Sequence, residues 1–158
     1  KGLLTKGYYN NIKATKELLK KDGLYTGDIA KKDFNGNYFY IGREKDSVRV
    51  RGENISSWEI ETTLNKKDCI SESTILKTKA DIGEDDMIAL VISKTNALNI
   101  KQIASNCQKD LSKNYFPRYW CLVKKFPRTP SLRIDKKNIK ISKLKLFDQK
   151  ECRFINIK

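Results

Sequence analysis

The run from Tyr25 to Glu61, YTGDIAKKDFNGNYFYIGREKDSVRVRGENISSWEIE, leaves little freedom in how it can fold. Phe34-Asn35-Gly36-Asn37 reads as a hairpin turn, because Asn-Gly readily supplies positive φ. Leu24 to Ile29 reads as a short strand before that turn and Tyr38 to Gly42 as the return strand after it. Ser47 to Arg51 alternates Val with Arg, which is the period of a half-buried strand. Gly52 to Ile55 reads as a loop. Ser56 and Glu59 then have the spacing of a capping box, which opens a helix running to about Asn65. An acid after a tight turn, an Arg at a strand end, a charged joint and a Gly-bearing loop thus follow one another closely. Such a stretch suits gripping a polar ligand and bending.

The flanking sequence supplies a compact domain around this run. Residues 11–20 place Ile12, Thr15, Leu18 and Leu19 on one helical face, with Gly23 as a stop. Ile70 to Thr78 and Met87 to Ser93 read as strands around an acidic turn, Gly83 to Asp86. Residues 99–113 carry the clearest helical stripe, Ile100, Ile103, Ala104, Cys107 and Leu111, with Asn99 as cap and Pro117 barring continuation. Tyr119 to Val123 reads as a further strand and the tail from Asp135 as a short basic helix. The β-α-β-β-α-β order after residue 45 predicts a compact α/β domain. Residues 1–44 read as the end of something else.

Composition excludes several kinds of chemistry. There is no His, which removes His-based triads, His-ligated zinc and imidazole proton shuttles from this chain. The four Cys (Cys69, Cys107, Cys121 and Cys152) are scattered, with no C-x-x-C pair, as expected of small buried thiols in a reducing, cytoplasmic setting. No metal site is expected. The longest apolar run, Met87 to Ile92, is far short of a membrane span and fits a buried strand. The formal net charge of +14 invites a polyanion partner, but Lys far outnumbers Arg, and such surfaces are more often solvated faces. Nucleic-acid binding is therefore not the expectation. The chain has 158 residues and opens on Lys1, with Met87 as its only Met, so it is expected to be a piece of a larger protein.

Four segments together resemble one family, the adenylate-forming (AMP-binding) superfamily of acyl-CoA synthetases, peptide-synthetase adenylation domains and luciferases. GYYNNIKAT (7–15) resembles its Gly-Tyr-x-Asn segment and LYTGDIA (24–30) its Thr-Gly-Asp motif. GNYFYIGREKDSVRVRGENISSWEIE (36–61) resembles its hinge and following loop, and FPRTPSLRIDK (126–136) its C-terminal catalytic-lysine motif. The resemblance covers nearly the whole chain. It implies an α/β (α+β) fold, the small C-terminal domain with a mixed sheet and packed helices over residues 45–158. A fragment of the large N-terminal, ATP-binding domain would precede it over residues 1–44.

The resemblance also implies roles. Asp28 would bind the ribose hydroxyls of ATP, since one carboxylate accepts two hydroxyls in strong charge-assisted bonds. Arg43 would contact the nucleotide. Lys45 would be the hinge about which the small domain swings between two half-reactions. In the first, a carboxylic acid and ATP give an acyl-adenylate and pyrophosphate. In the second, the thiol of coenzyme A displaces AMP. Gly52, Glu53 and Asn54 would line the thiol's path, where Gly lets backbone come close to a thin ligand. ATP, Mg2+ and coenzyme A are the implied cofactors and substrates.

The chain departs from the family at the C-terminal motif. The usual Pro-x-Thr-x-x-Gly-Lys ends here in Leu132-Arg133, so the Lys that stabilises developing negative charge has become Arg133. The charge is kept but the planar, larger guanidinium is not equivalent. This ending and GENISSWEIE are closest in look to crotonobetaine/carnitine-CoA ligase. The leading expectation is the C-terminal part of an ATP-dependent acyl-CoA synthetase of carnitine or crotonobetaine type, inactive as a fragment because the phosphate loop and acyl pocket lie elsewhere in the family. An adenylation domain loading a carrier protein is one alternative. A catalytically impaired binding module, motivated by Leu132-Arg133 and the basic tail, is another.

Overall fold

A computed structural model describes residues 5–80 and 83–156. The chain divides between Lys45 and Asp46 into two compact units. The first opens with helix α1 (Ile12–Leu18), capped by Asn11, whose side chain accepts the Ala14 N–H at 3.0 Å. The helix stops one residue before Leu19, expected on its face, because β1 (Leu19–Lys20) pairs antiparallel with β2 (Gly23–Leu24). A seven-residue helix that buries nothing has little to hold further turns.

The strand expected over Leu24 to Ile29 is broken at Thr26-Gly27. Gly27 takes φ +74° and the Thr26 hydroxyl accepts the Asp28 N–H at 3.1 Å. The chain then forms β3 (Asp28–Lys32) and β4 (Tyr38–Arg43), an antiparallel hairpin. Its turn is built on Asp33, whose Oδ1 accepts the N–H groups of Asn35 and Asn37. Gly36 alone takes positive φ, +86°, so Asn35 does not use the freedom expected of it. The Asn37 side-chain amide and these backbone donors hold the Asp33 carboxyl below its ordinary range.

The second unit begins with β5 (Ser47–Val50) and β6 (Glu53–Ser56), paired antiparallel. The loop expected at Gly52 to Ile55 is thus mostly strand. Arg51 and Gly52 alone make the turn, at φ +51° and +82°, as in a type I′ hairpin. Helix α2 (Ser57–Asn65) follows, but the expected capping box does not form. Ser56 stands at the cap with no side-chain cap bond, because it is also the last residue of β6, paired with Ser47.

The long hairpin β7 (Ile70–Lys79) and β8 (Asp85–Ser93) forms the centre of the unit. Asp85 and Asp86, expected in a turn, belong to β8 and pair with Lys79 and Thr78. Helix α3 (Ile100–Cys107) carries a capping box between Asn99 and Gln102 and ends well short of residue 113. Strand β9 (Tyr119–Leu122) runs parallel to β8. The basic helix expected from Asp135 is instead two 3-10 turns, Lys136–Asn138 and Ile141–Lys143. The hairpin β10 (Leu146–Asp148) and β11 (Arg153–Ile155), not foreseen, completes a five-stranded mixed sheet of order β11-β10-β9-β8-β7.

Both faces of this sheet are covered, which explains the unbroken apolar run in β8. Met87, Ala89 and Val91 face a core with Ile60, Leu64, Ile103 and Trp120. Ile88 and Leu90 face a second cluster with Tyr119, Phe126 and Leu146. Ile134, Ile139, Ile141 and Leu144 of the tail pack on this second cluster, and their spacing is not that of a helical stripe.

Candidate functional site

The first unit brings two of the expected residues together. Asp28 opens β3 and Arg43 closes β4, and the two are register partners. Arg43 Nε lies 3.0 Å from Asp28 Oδ1, with both side chains well exposed. The Glu44 N–H donates to Gly27 O at 2.9 Å and closes the base of the hairpin. An exposed ion pair of this kind adds little stability. It does present a carboxylate and a guanidinium side by side on a fixed backbone, suited to a ligand that carries hydroxyls and negative charge. Lys45 is the middle residue of a 3-10 turn, Glu44–Asp46, and the last residue of the first unit.

In the second unit Gly52, Glu53 and Asn54 sit at and just after the β5–β6 turn, all exposed. Space does not demand the glycine, since a Cβ there would meet nothing within 4 Å; its φ of +82° does. The Gly52 N–H donates to both Glu84 oxygens, at 3.0 and 2.9 Å. Arg51 donates to Asn114 Oδ1 at 3.0 Å, and the Asn114 amide donates to Glu53 Oε2 at 3.4 Å. Arg51, Glu84, Asp86, Lys113, Asn114 and Arg118 help line a cleft of about 670 Å³ beside this turn.

Arg133 follows a second tight turn. The Leu132 N–H donates to Thr129 O at 2.9 Å, and the Thr129 N–H to Arg133 O at 2.9 Å. Leu132 takes φ +62°, the left-handed form that costs a branched side chain and suits glycine. The Thr129 hydroxyl accepts the Arg133 N–H at 3.2 Å, and Arg128, paired with Glu72, donates to Leu132 O at 3.1 Å. The Arg133 side chain is exposed and forms no ion pair among the described residues. Three residues on, Lys136 Nζ donates to Glu61 Oε1 at 2.8 Å and Ser57 Oγ at 3.0 Å. The same Glu61 oxygen accepts the Thr74 hydroxyl and the Ile75 N–H. This knot ties the tail to α2 and β7.

Glu84, Asn114, Glu61 and Lys136 are not legible from the sequence. Glu84 stands in an acidic run that resembles any solvated turn, and Lys136 in a tail rich in Lys. Nothing but the fold tells which of these charges meets a partner. The thiols are only partly as expected. Burial pushes Cys107 up to about 11 and raises Cys121, while Cys152 is exposed. Among the described residues no cluster of three or more Cys, Asp or Glu suits a metal ion, and no helix is long and apolar enough to cross a membrane.

No family model matches the chain. It is 33% identical over 140 residues to a plipastatin synthase of Bacillus subtilis (strain 168), covering 84% of this chain and 4% of that protein. It is 30% identical over 137 residues to the crotonobetaine/carnitine–CoA ligase of Escherichia coli O157:H7 (strain EC4115 / EHEC), covering 85% of this chain and 26% of the ligase. The fold matches ATP-bound MatB from Rhodopseudomonas palustris with a TM-score of 0.72 and 30% identity, over 84% of this chain and 27% of that one. The chain therefore spans about a quarter, or much less, of the length of these relatives.

Proposed function

We propose that this chain, a relative of the adenylate-forming acyl-CoA synthetases over most of its length, supplies the hinge and small domain of an ATP-dependent acid–thiol ligase. Asp28 accepts the ribose hydroxyls of ATP, and Arg43, beside it, offers guanidinium donors to the nucleotide. Arg133 brings its positive charge to the reacting carboxylate and the α-phosphate, where negative charge grows as the acyl-adenylate forms. Rotation about Lys45 then exchanges that face for the Gly52–Asn54 turn, along which the thiol reaches the adenylate and displaces AMP. A reducing, cytoplasmic location accords with the unpaired cysteines.

The observation that carries this reading is the turn before Arg133. Leu132 adopts at φ +62° the backbone form in which glycine would be at ease. The shape of the expected motif is thus kept although its last two residues have changed. A cation therefore still follows the turn, and the reading favours a working adenylation site over an impaired one.

The test is ATP–pyrophosphate exchange by the full polypeptide that contains this segment, across small carboxylic acids including carnitine and crotonobetaine, followed by addition of coenzyme A. Exchange with one acid and thioester formation on adding coenzyme A are expected, carnitine or crotonobetaine being the proposed substrates. Absence of exchange with every acid overturns the reading. The segment alone is expected to show none. The 33% identity to the plipastatin synthase favours a second reading, in which the acceptor is a carrier protein's pantetheine arm. Thioester formation on a carrier protein but not on coenzyme A would select it.

A further inference from the structure

We infer that Glu84 is a positioning residue for the thiol half-reaction, its carboxylate setting the Arg51–Gly52 turn along which the thiol passes. This rests on the reading above and adds to it a residue outside every recognisable motif. In a two-residue hairpin turn the N–H of the second turn residue has no partner in the strand ladder. Left alone, the Gly52 N–H would turn to water and the tip would be free to tilt. Glu84 takes that N–H with both oxygens, at 3.0 and 2.9 Å, from a segment 32 residues away.

Glu84 is itself well seated. Its carbonyl accepts the Ala80 N–H at 2.9 Å, and its neighbour Asp85 pairs with Lys79 across the β7–β8 hairpin. Asp85 also accepts the Arg49 N–H at 3.3 Å, and Arg49 Nε lies 3.6 Å from Glu84. The turn is thus tied to the β7–β8 hairpin by a carboxylate on one side and to the segment between α3 and β9 by Asn114 on the other. Mere fold stability does not account for this grip. A type I′ turn already suits the twist of its strands, and the Glu84 side chain is 35% exposed, where water competes with its Arg49 ion pair and the pair adds little. What the clamp supplies is a fixed position for the Gly52 backbone. A narrow thiol path needs that, because small displacements of a positioned group cost disproportionately in rate.

The experiment compares Glu84→Ala, Glu84→Gln and the parent in the full polypeptide, measuring KM for coenzyme A and KM for ATP, with Trp fluorescence as a check on folding. Glu84→Ala is expected to raise KM for coenzyme A about tenfold, equivalent to about 1.4 kcal/mol, while KM for ATP stays in place. Glu84→Gln keeps an acceptor oxygen for Gly52 and is expected to recover most of the loss. A general loosening of the fold would instead move both constants together, and that result overturns the inference. Equal KM for coenzyme A in all three proteins overturns it also. If the parent itself forms no thioester with coenzyme A, the functional reading fails first and this inference falls with it.

Discussion

Leu132 offers a direct test of how the Arg133 turn is held. Its φ of +62° lies in the left-handed region, where a Cβ crowds the following carbonyl at about 1–2 kcal/mol. The side chain is 77% exposed, so little burial is lost when it is removed. Leu132→Ala and Leu132→Gly both delete that side chain, and only Gly also removes the crowding. Against this, Gly gives up about 0.5–1 kcal/mol relative to Ala through the greater freedom of its unfolded chain. The balance leaves Leu132→Gly more stable than Leu132→Ala by about 0.5–1 kcal/mol, the reverse of the order at ordinary positions. For a unit of this size that is a difference of about 2–6 °C in Tm. Trp120 is fully buried in the second unit, so its fluorescence during thermal and urea unfolding of the 158-residue chain reports the difference. If Leu132→Ala equals or exceeds Leu132→Gly, the turn does not hold a left-handed residue and the motif shape is not kept.

Four other outcomes are expected. Arg133→Ala in the full polypeptide should slow acyl-adenylate formation about 10²–10³-fold, the usual loss when a positioned electrostatic group is removed; unaltered pyrophosphate exchange would remove Arg133 from that step. Lys45→Pro should impair thioester formation more than adenylation, and equal loss in both half-reactions would count against a hinge there. Lys136→Met should destabilise the second unit by about 2–3 kcal/mol in urea titrations, because it leaves the largely buried Glu61 carboxylate without its cation; an unchanged midpoint would refute the anchoring role. Burial works against the charge on Asp148, but Arg118 and the N–H groups of Lys150 and Glu151 prevail and hold its carboxyl below the usual range. A depressed folded pKa gives stability that is present above the unfolded value of about 4 and lost as pH falls below it. The urea midpoint should therefore drop on acidification below about pH 4, and Asp148→Asn should flatten that drop.

Some elements were legible because their cause is local. The Phe34–Asn37 turn, the cap at Asn99 and the Val alternation of β5 each rest on a few adjacent residues, and each stands where the sequence suggested. Other readings failed where a distant partner overrode a local preference. Ser56 does not cap α2 because strand pairing with Ser47 claims it. The tail forms no helix because its Ile and Leu side chains are drawn onto the second face of the sheet. Gly52 to Ile55 reads as loop until the pairing of β6 with β5 turns most of it into strand.

The candidate site divides the same way. Asp28, Arg43, Gly52 and Arg133 could be named from the sequence, because motif spacing along the chain is a one-dimensional fact. That Asp28 faces Arg43 at 3.0 Å, that Leu132 keeps the bend of a glycine, that Glu84 holds the Gly52 turn and that Lys136 ties the tail to α2 are three-dimensional facts. Sequence by itself determined which chemistry-bearing groups the chain carries and in what order. Only the tertiary structure decided which of its many charges acquire partners, because an ion pair or a charge-assisted hydrogen bond depends on distance in space, which separation along the chain does not fix.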